Sequence, residues 1–328
     1  EENTLLLLGI DGLRYDFITP ELTPALYHLA KCGVQSEGLI SVYPSSTFPN
    51  MYSIATGLYS ESHGLVDNKM FDPELNSTFS PGSRESYNSH WYQGEPIWST
   101  VTRQRKRSAA YFWVGSDVVG QENPPTEWKK YDSNETDFSI RVRKIMDWLT
   151  LPAEEHISFI TAYFKEPDYT AHKFGPFSKE MNTTLQYVDR QVDDLMKFMF
   201  EKNLLNCVDI IVVSDHGMTT LKDKVEIELD KDHVESSFLW TTGRIQLKDK
   251  EAEDRLLSQL ECKSENLRVS RKEHLPNRYH YRNSERIENL ILDPKPSYVV
   301  TTKEIVNLHD SHIPKGVHGY NNIEESMQ

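Results

Sequence analysis

The chain has 328 residues, 38% of them hydrophobic and 26% charged, an ordinary globular composition with enough apolar material for a sizeable core in one large domain or two. Its 50 acidic and 36 basic residues leave a net charge of −14. With no long basic run, this excludes a nucleic-acid polymer as the expected partner, and any small anionic substrate must be attracted by something local. The apolar runs at residues 5–8 and Val208–Val213 are too short to cross a bilayer, and no signal peptide precedes Glu1. The chain therefore reads as the soluble part of a secreted or cell-surface protein, with any membrane anchor outside this stretch. Three sequons, at Asn76, Asn134 and Asn182, agree with that location and are candidate glycosylation sites.

In chain order, Thr4–Ile10 reads as a buried parallel strand closed by Asp11-Gly12, and Pro24–Cys32 as a helix stopped by Gly33. Residues 70–92, rich in Asn, Ser, Pro and aromatics, read as a long surface excursion, and residues 109–114 as a strand. Phe138–Leu149 carries the helical stripe Val142, Ile145, Met146, Leu149. Residues 157–164 form a strand running to Glu166-Pro167-Asp168. A longer helix then places Leu185, Val188, Val192, Leu195, Met196 and Met199 on one face, before the strand Val208–Val213 ends at Ser214-Asp215-His216-Gly217. Helices alternating with apolar strands define an α/β class with a mainly parallel sheet. Residues 222–315 read as a smaller subdomain or insertion, with strand character at 238–247, 278–292 and 298–302 and a helix at 251–260. The expectation is a single catalytic domain over residues 1–328.

Three cysteines, Cys32, Cys207 and Cys262, allow one disulfide, and spacing alone does not choose the pair. With no C-x-x-C or Cys/His cluster, a thiolate zinc site is excluded on local pattern.

Thr47 stands out because Pro44 and Pro49 stiffen the loop around it and a short helix follows, a good place to present a hydroxyl. A threonine alcohol needs a base or a metal to become a useful nucleophile. Three strands end in acidic residues, Asp11, Asp168 and Asp215, and open α/β sheets bind ligands beyond the carboxyl ends of their strands. Asp215 is followed by His216, and Asp168 and His172 have the i, i+4 spacing that shares a helix face. Taken singly, each Asp or His is more often a cap, a turn residue or a surface group. Repeated carboxylate–imidazole pairs, with His318 in a Gly-flanked turn, instead suit two metal ions.

The ordered motifs Leu8-Gly9-Ile10-Asp11-Gly12, Thr47-Phe48-Pro49-Asn50, Thr56-Gly57 through His63 to Asn68, Glu166-Pro167-Asp168 with His172 and Gly175-Pro176, Ser214-Asp215-His216-Gly217-Met218 and His318-Gly319-Tyr320-Asn321 resemble the nucleotide pyrophosphatase/phosphodiesterase (ectonucleotide) family of the alkaline phosphatase superfamily. The resemblance runs from Leu5 to Asn322 and implies an alkaline-phosphatase-like fold, with a further strand and helix after Gln328. It implies two Zn2+ ions, one held by Asp11, Asp215 and His216 beside the nucleophile Thr47, the other by Asp168, His172 and His318. Asn68 and the backbone N–H of Phe48 would donate to a phosphoryl oxygen. Ala171 departs from the family's usual glycine before the histidine, a methyl group that the ligand should tolerate. The resemblance also implies a bridge between Cys207 and Cys262, leaving Cys32 free or paired with a group outside this stretch.

The activity implied is zinc-dependent hydrolysis of phosphodiester or pyrophosphate bonds in extracellular nucleotides, such as ATP to AMP and pyrophosphate, through a covalent threonine intermediate. Phe48, Tyr163 and Trp113 are candidate walls for a base, although each is as readily core packing. No Arg or Lys adjoins Thr47 or Asn68 to favour a monoester; Arg14 is nearest and reads as a surface charge. His63 is expected to stabilise the loop that places Asn68, the basic run at residues 103–107 to be a solvated loop or helix end, and His309 and His312 to be bystanders. The alternatives are a choline lysophospholipid or glycerophosphodiester hydrolase, and a catalytically silent cell-surface binding protein.

Overall fold

The computed structural model describes residues 3–304 and 313–328. Its first part runs β1 (Thr4–Ile10), α1 (Pro24–Cys32), α2 (Thr47–Thr56), α3 (Ser60–His63), the hairpin β2 (Met70–Asp72) and β3 (Ser77–Phe79), α4 (Ile97–Arg103), β4 (Ser108–Tyr111), β5 (Glu127–Lys129), α5 (Phe138–Leu149), β6 (Phe159–Phe164), α6 (Asp168–Phe174), α7 (Lys179–Glu201) and β7 (Val208–Val213). The strands β5-β4-β6-β1-β7 pair in that order, all parallel. β1 and β6 are buried along nearly their whole length, which is why they read as continuous apolar runs rather than alternating ones.

Helices flank this sheet. α7 begins at Ser178, whose side chain accepts from the Met181 N–H, and buries Met181, Leu185, Val188, Val192, Leu195 and Met199. Each such side chain contributes roughly 1.5–3 kcal/mol on burial. α1, α5 and α6 pack against α7, while α2 packs against α3 and α4.

The chain continues through β8 (Thr219–Thr220), β9 (Asp223–Glu226), β10 (Val234–Phe238), β11 (Gly243–Leu247), α8 (Lys250–Leu260), β12 (Leu267–Arg271), β13 (Leu290–Pro294), β14 (Tyr298–Thr301) and β15 (Gly316–Val317). Strands β10-β11-β13-β12 make an antiparallel sheet covered by α8, with a core of its own that includes Ile245, Leu256, Leu290 and Leu292. We refer to this sheet and helix as the second lobe. Two ribbons stand apart from both sheets, β9 parallel to β14 and β8 antiparallel to β15, and β15 packs against α6.

The structure corrects several expectations. Residues 70–92 are a surface excursion only in part: much of the stretch is exposed, but Met70, Phe79 and Trp91 are fully buried in the main core and anchor it. Within residues 278–292 only the stretch from Leu290 is strand; before it the chain turns at Asn277–Tyr279, and the Arg282 N–H and the Arg286 guanidinium bond to the first half of the molecule. β12 lies in a stretch whose charged composition hid it. Cys207 and Cys262 are not bridged: all three cysteines are free, Cys207 leading into β7 of the main sheet and Cys262 exposed just beyond α8 in the second lobe. His309 and His312 lie outside the described residues.

Candidate metal centre and nucleophile

β6, β1 and β7 are neighbours, so the residues just past their carboxyl ends meet. The Asp11 N–H donates to Phe164 O, the Asp168 N–H donates to Asp11 O, and the Gly12 N–H donates to an Asp215 carboxylate oxygen at 3.2 Å. Gly12 sits at φ +71°, and a Cβ there would press on the Asp168 backbone, so glycine lets the strand end and α6 close together. His172 is reached one turn along α6, His216 follows Asp215, and β15 delivers His318.

The side chains converge. His216 Nε2 lies 3.4 Å from Asp11 Oδ1 and 3.4 Å from Asp215 Oδ2. Asp168 Oδ1 lies 3.3 Å from His172 Nε2 and 3.5 Å from His318 Nε2. Two candidate ligand groups result, Asp168 with His172 and His318, and Asp11 with Asp168 and His216; within each, the ligand atoms all lie within 4.8 Å of one another. Asp168 thus sits between the two groups.

Three observations test whether this cluster suits cations. The buried oxygens Asp11 Oδ1, Asp168 Oδ1 and Asp215 Oδ2 have no hydrogen-bond partner, an expensive state for carboxylates unless a cation takes those lone pairs. Each histidine directs Nδ1 at a backbone carbonyl: His172 at Gly316 O (2.7 Å), His216 at Gly217 O (2.9 Å) and His318 at Ser45 O (2.9 Å). Those carbonyls fix the tautomer with Nδ1 protonated and leave Nε2 as the free lone pair, the outer-sphere arrangement that metal-binding imidazoles use. Finally, the charges repel: burial, the Asp215 carboxylate and then Asp168 push the Asp11 carboxyl well up, and burial, against the pull of His216, also raises Asp215. Burial and the neighbouring His216 push His318 well down, so it is neutral. Burial alone would raise Asp168, but His172, His318 and His216 hold it below the usual carboxylate range. A nitrogen-and-oxygen ligand set of this kind fits zinc.

Thr47 is the first residue of α2 rather than the residue before it, with Pro49 accommodated in the first turn. Its hydroxyl is 3.2 Å from His216 Nε2. The site therefore sits at the N-terminus of α2, whose dipole favours an anion. Asn68 Oδ1 accepts the Phe48 N–H at 2.9 Å. That donor assigns the amide orientation, keeps the Asn68 Nδ2 as a donor, and means that the Phe48 N–H is engaged with Asn68 here.

The aromatic candidates separate. Phe48 is half-buried and rests edge-on against Phe79. The Tyr163 hydroxyl donates to Asp11 Oδ2, which leaves Asp11 Oδ1 free, so Tyr163 holds a candidate ligand in place rather than lining a substrate wall. Trp113 is 1% exposed, donates to Met51 O and lies against Gly9, where a Cβ would come within 2.8 Å of its ring, so it packs β1 against α2 and does not face a ligand. The Arg14 guanidinium donates to Met218 O and Asp16 and stacks on Phe17 and Phe177. His63 is fully buried: Nδ1 accepts the Leu65 N–H, so Nε2 carries the proton toward Pro49 O and Ser53, tying α2 to the segment leading to Asn68. Asn76, Asn134 and Asn182 are exposed. The histidine-orienting carbonyls of Ser45, Gly217 and Gly316 left no trace in the residue pattern, because any residue type supplies a carbonyl.

A parallel α/β sheet with a carboxylate–imidazole cluster at its carboxyl edge and a hydroxyl beside it defines an alkaline-phosphatase-like protein. The chain belongs to the type I phosphodiesterase / nucleotide pyrophosphatase family, whose profile matches residues 5–321. It is 37% identical to human ectonucleotide pyrophosphatase/phosphodiesterase family member 1 over 98% of this chain and 36% of the relative. It is 35% identical to the venom phosphodiesterase CdcPDE of Crotalus durissus collilineatus over 100% of this chain and 40% of that protein. The chain thus spans well under half the length of these curated relatives. Among solved structures it matches murine ectonucleotide pyrophosphatase / phosphodiesterase 5, an inactive threonine-to-alanine form in complex with AMP, with TM-score 0.90 and 32% identity over 100% of this chain and 86% of that one. Among the described residues no helix is long and apolar enough to cross a membrane.

Proposed function

We propose that the chain hydrolyses phosphodiester or pyrophosphate bonds of extracellular nucleotides, with Thr47 as nucleophile and two zinc ions as cofactors. The observation that carries this reading is the Thr47 hydroxyl 3.2 Å from His216 Nε2, beside carboxylate oxygens that have no partner in the protein. Asp11, Asp215 and His216 would hold one ion and Asp168, His172 and His318 the other, with Thr47 itself reaching the first. Bound there, the cations would lower the pKa of the threonine alcohol and offset charge on the phosphoryl oxygens.

The chain's own residues do the rest. The start of α2 aims Thr47 at the phosphorus and offers its dipole to the anion, and the Asn68 amide donates to a nonbridging oxygen. Attack by Thr47 Oγ1 on the phosphorus joined to the nucleoside forms a nucleotidyl-threonine diester as the bond to the leaving group breaks and the hydroxyl proton is lost; water then cleaves the Thr47 Oγ1–P bond, releases the nucleoside monophosphate and restores the alcohol. The carbonyls of Ser45, Gly217 and Gly316 and the Tyr163 hydroxyl keep the ligands oriented throughout. The AMP complex of the murine relative, and its inactivity as a threonine-to-alanine form, support the nucleotide class and the threonine. The names of the relatives, ectoenzyme and venom enzyme, support an extracellular or secreted setting, where the exposed sequons would be glycosylated. The test is product analysis with ATP and, separately, lysophosphatidylcholine: chelator-sensitive AMP and pyrophosphate are expected, and chelator-sensitive phosphocholine without AMP would overturn the nucleotide reading.

A further inference from the structure

The second lobe and the connection between its strands β12 and β13 reach across to the loop that carries Asn68 with three side chains, Arg244 from β11 and Tyr281 and Arg286 from the connection. Arg286 donates to Gly64 O and Trp91 O, each at 2.8 Å, and its Nε pairs with Asp72 at 2.6 Å. The Tyr281 hydroxyl donates to Val66 O at 2.7 Å. Arg244, on β11, is completely buried and makes the contact nearest Asn68. One end of its guanidinium pairs with Glu288 at 2.8 Å; the other donates to Asp67 Oδ2 at 3.3 Å and to Lys69 O. The flat face lies over Phe238.

Asp67 passes this contact on. While Oδ2 takes Arg244, Oδ1 accepts the Asn68 N–H at 2.7 Å, and Asn68 Oδ1 in turn accepts the Phe48 N–H next to Thr47. A single line of bonds, Glu288–Arg244–Asp67–Asn68–Phe48, joins the second lobe to the nucleophile helix. A buried charge held by two carboxylates and a carbonyl is costly to assemble and far more costly to leave half-made, so the loop is fixed in one place. Only a planar fork can serve Glu288, Asp67 and Lys69 O together, which makes arginine the side chain that fits.

We propose that Arg244 is a positioning residue for phosphoryl recognition: through Asp67 it sets the place of the Asn68 amide relative to Thr47. This rests on the reading of Asn68 as the donor to the phosphoryl group. The second lobe, which supplies none of the candidate metal ligands, thereby takes part in the reaction geometry.

The test uses the zinc-loaded chain with bis(p-nitrophenyl) phosphate, comparing Arg244→Lys, Asp67→Asn, Asn68→Ala and each of the first two combined with Asn68→Ala. Displacing a recognition group by about an ångström costs up to about a hundredfold in rate, so kcat should fall by roughly tenfold to a hundredfold in Arg244→Lys and Asp67→Asn. In the Asn68→Ala background neither should lower it further, because both act through the same amide. Drops that multiply, or an unchanged kcat in the single variants, would overturn the proposal. Site-resolved hydrogen exchange reads the same link without turnover: the Phe48 amide should exchange at least about tenfold faster in both single variants while β1 amides keep their rates. A wild-type chain that hydrolyses nothing counts against the functional reading, whereas unaltered Phe48 exchange counts against Arg244. Should Arg244→Lys fail to fold, Asp67→Asn, nearly isosteric, decides both readouts.

Discussion

Lowering the pH should strip stability from this protein through His63, and the amount follows from its burial. Burial, only partly offset by the Pro49 carbonyl, pushes the imidazole from 6.5 down to about 4. An unfolded chain protonates the ring near 6.5, whereas the folded one refuses the proton until about pH 4. Between those values the unfolded state binds more protons, so folding stability falls as pH falls. The contribution is fully present above about pH 6.5 and gone below about pH 4. At about 1.4 kcal/mol per pH unit the whole window is worth about 3 kcal/mol. The comparison is urea unfolding of wild type and His63→Gln at a series of pH values, since groups titrating alike in both cancel. The difference in unfolding free energy between them should change by about 3 kcal/mol from pH 7 to pH 4, wild type losing more. Parallel pH profiles would refute the account of His63 as a neutral brace between α2 and the Asn68 loop.

Gly316→Ala should cost metal affinity at the Asp168/His172/His318 group, because the new Cβ would sit 2.4 Å from Ala171 O and push away the carbonyl that orients His172. A loss of about tenfold to a hundredfold by zinc titration is expected, and unchanged affinity would contradict it. Trp113→Ala should destabilise by about 3–5 kcal/mol in denaturant unfolding as a core deletion, and a change below about 1 kcal/mol would return Trp113 to the surface. Cys207→Ser and Cys262→Ser should each alter stability by less than about 1 kcal/mol and leave it insensitive to reductant, whereas loss of a native disulfide would cost about 2–5 kcal/mol.

Much of the fold was legible because buried parallel strands and amphipathic helices write strong patterns. The runs of β1 and β7, and the stripe from Leu185 to Met199, appear in the structure within a residue or two of where periodicity put them. β12 did not show itself: Leu267–Arg271 alternates charge with apolar residues on a half-exposed sheet edge, a weak signal. Residues 70–92 misled because polar composition suggested solvent, while a few large side chains, Phe79 and Trp91 above all, anchor the stretch in the core. The carboxylates and imidazoles that converge could be chosen from their places at strand ends. What holds them could not, since Ser45, Gly217 and Gly316 act through their backbones, and Asp67 and Arg244 stand 177 residues apart. Tyr163 was singled out for the wrong task, as side-chain direction at a strand end depends on pairing register and not on residue type.

The most direct test of the central claim is analysis of the products formed from ATP by the zinc-loaded chain, by the chelated chain and by Thr47→Ala after the same loading. AMP and pyrophosphate from the first alone, with zinc still bound to Thr47→Ala, is the result the geometry predicts. Turnover by Thr47→Ala at the wild-type rate, or no cleavage by the zinc-loaded wild type, would contradict it.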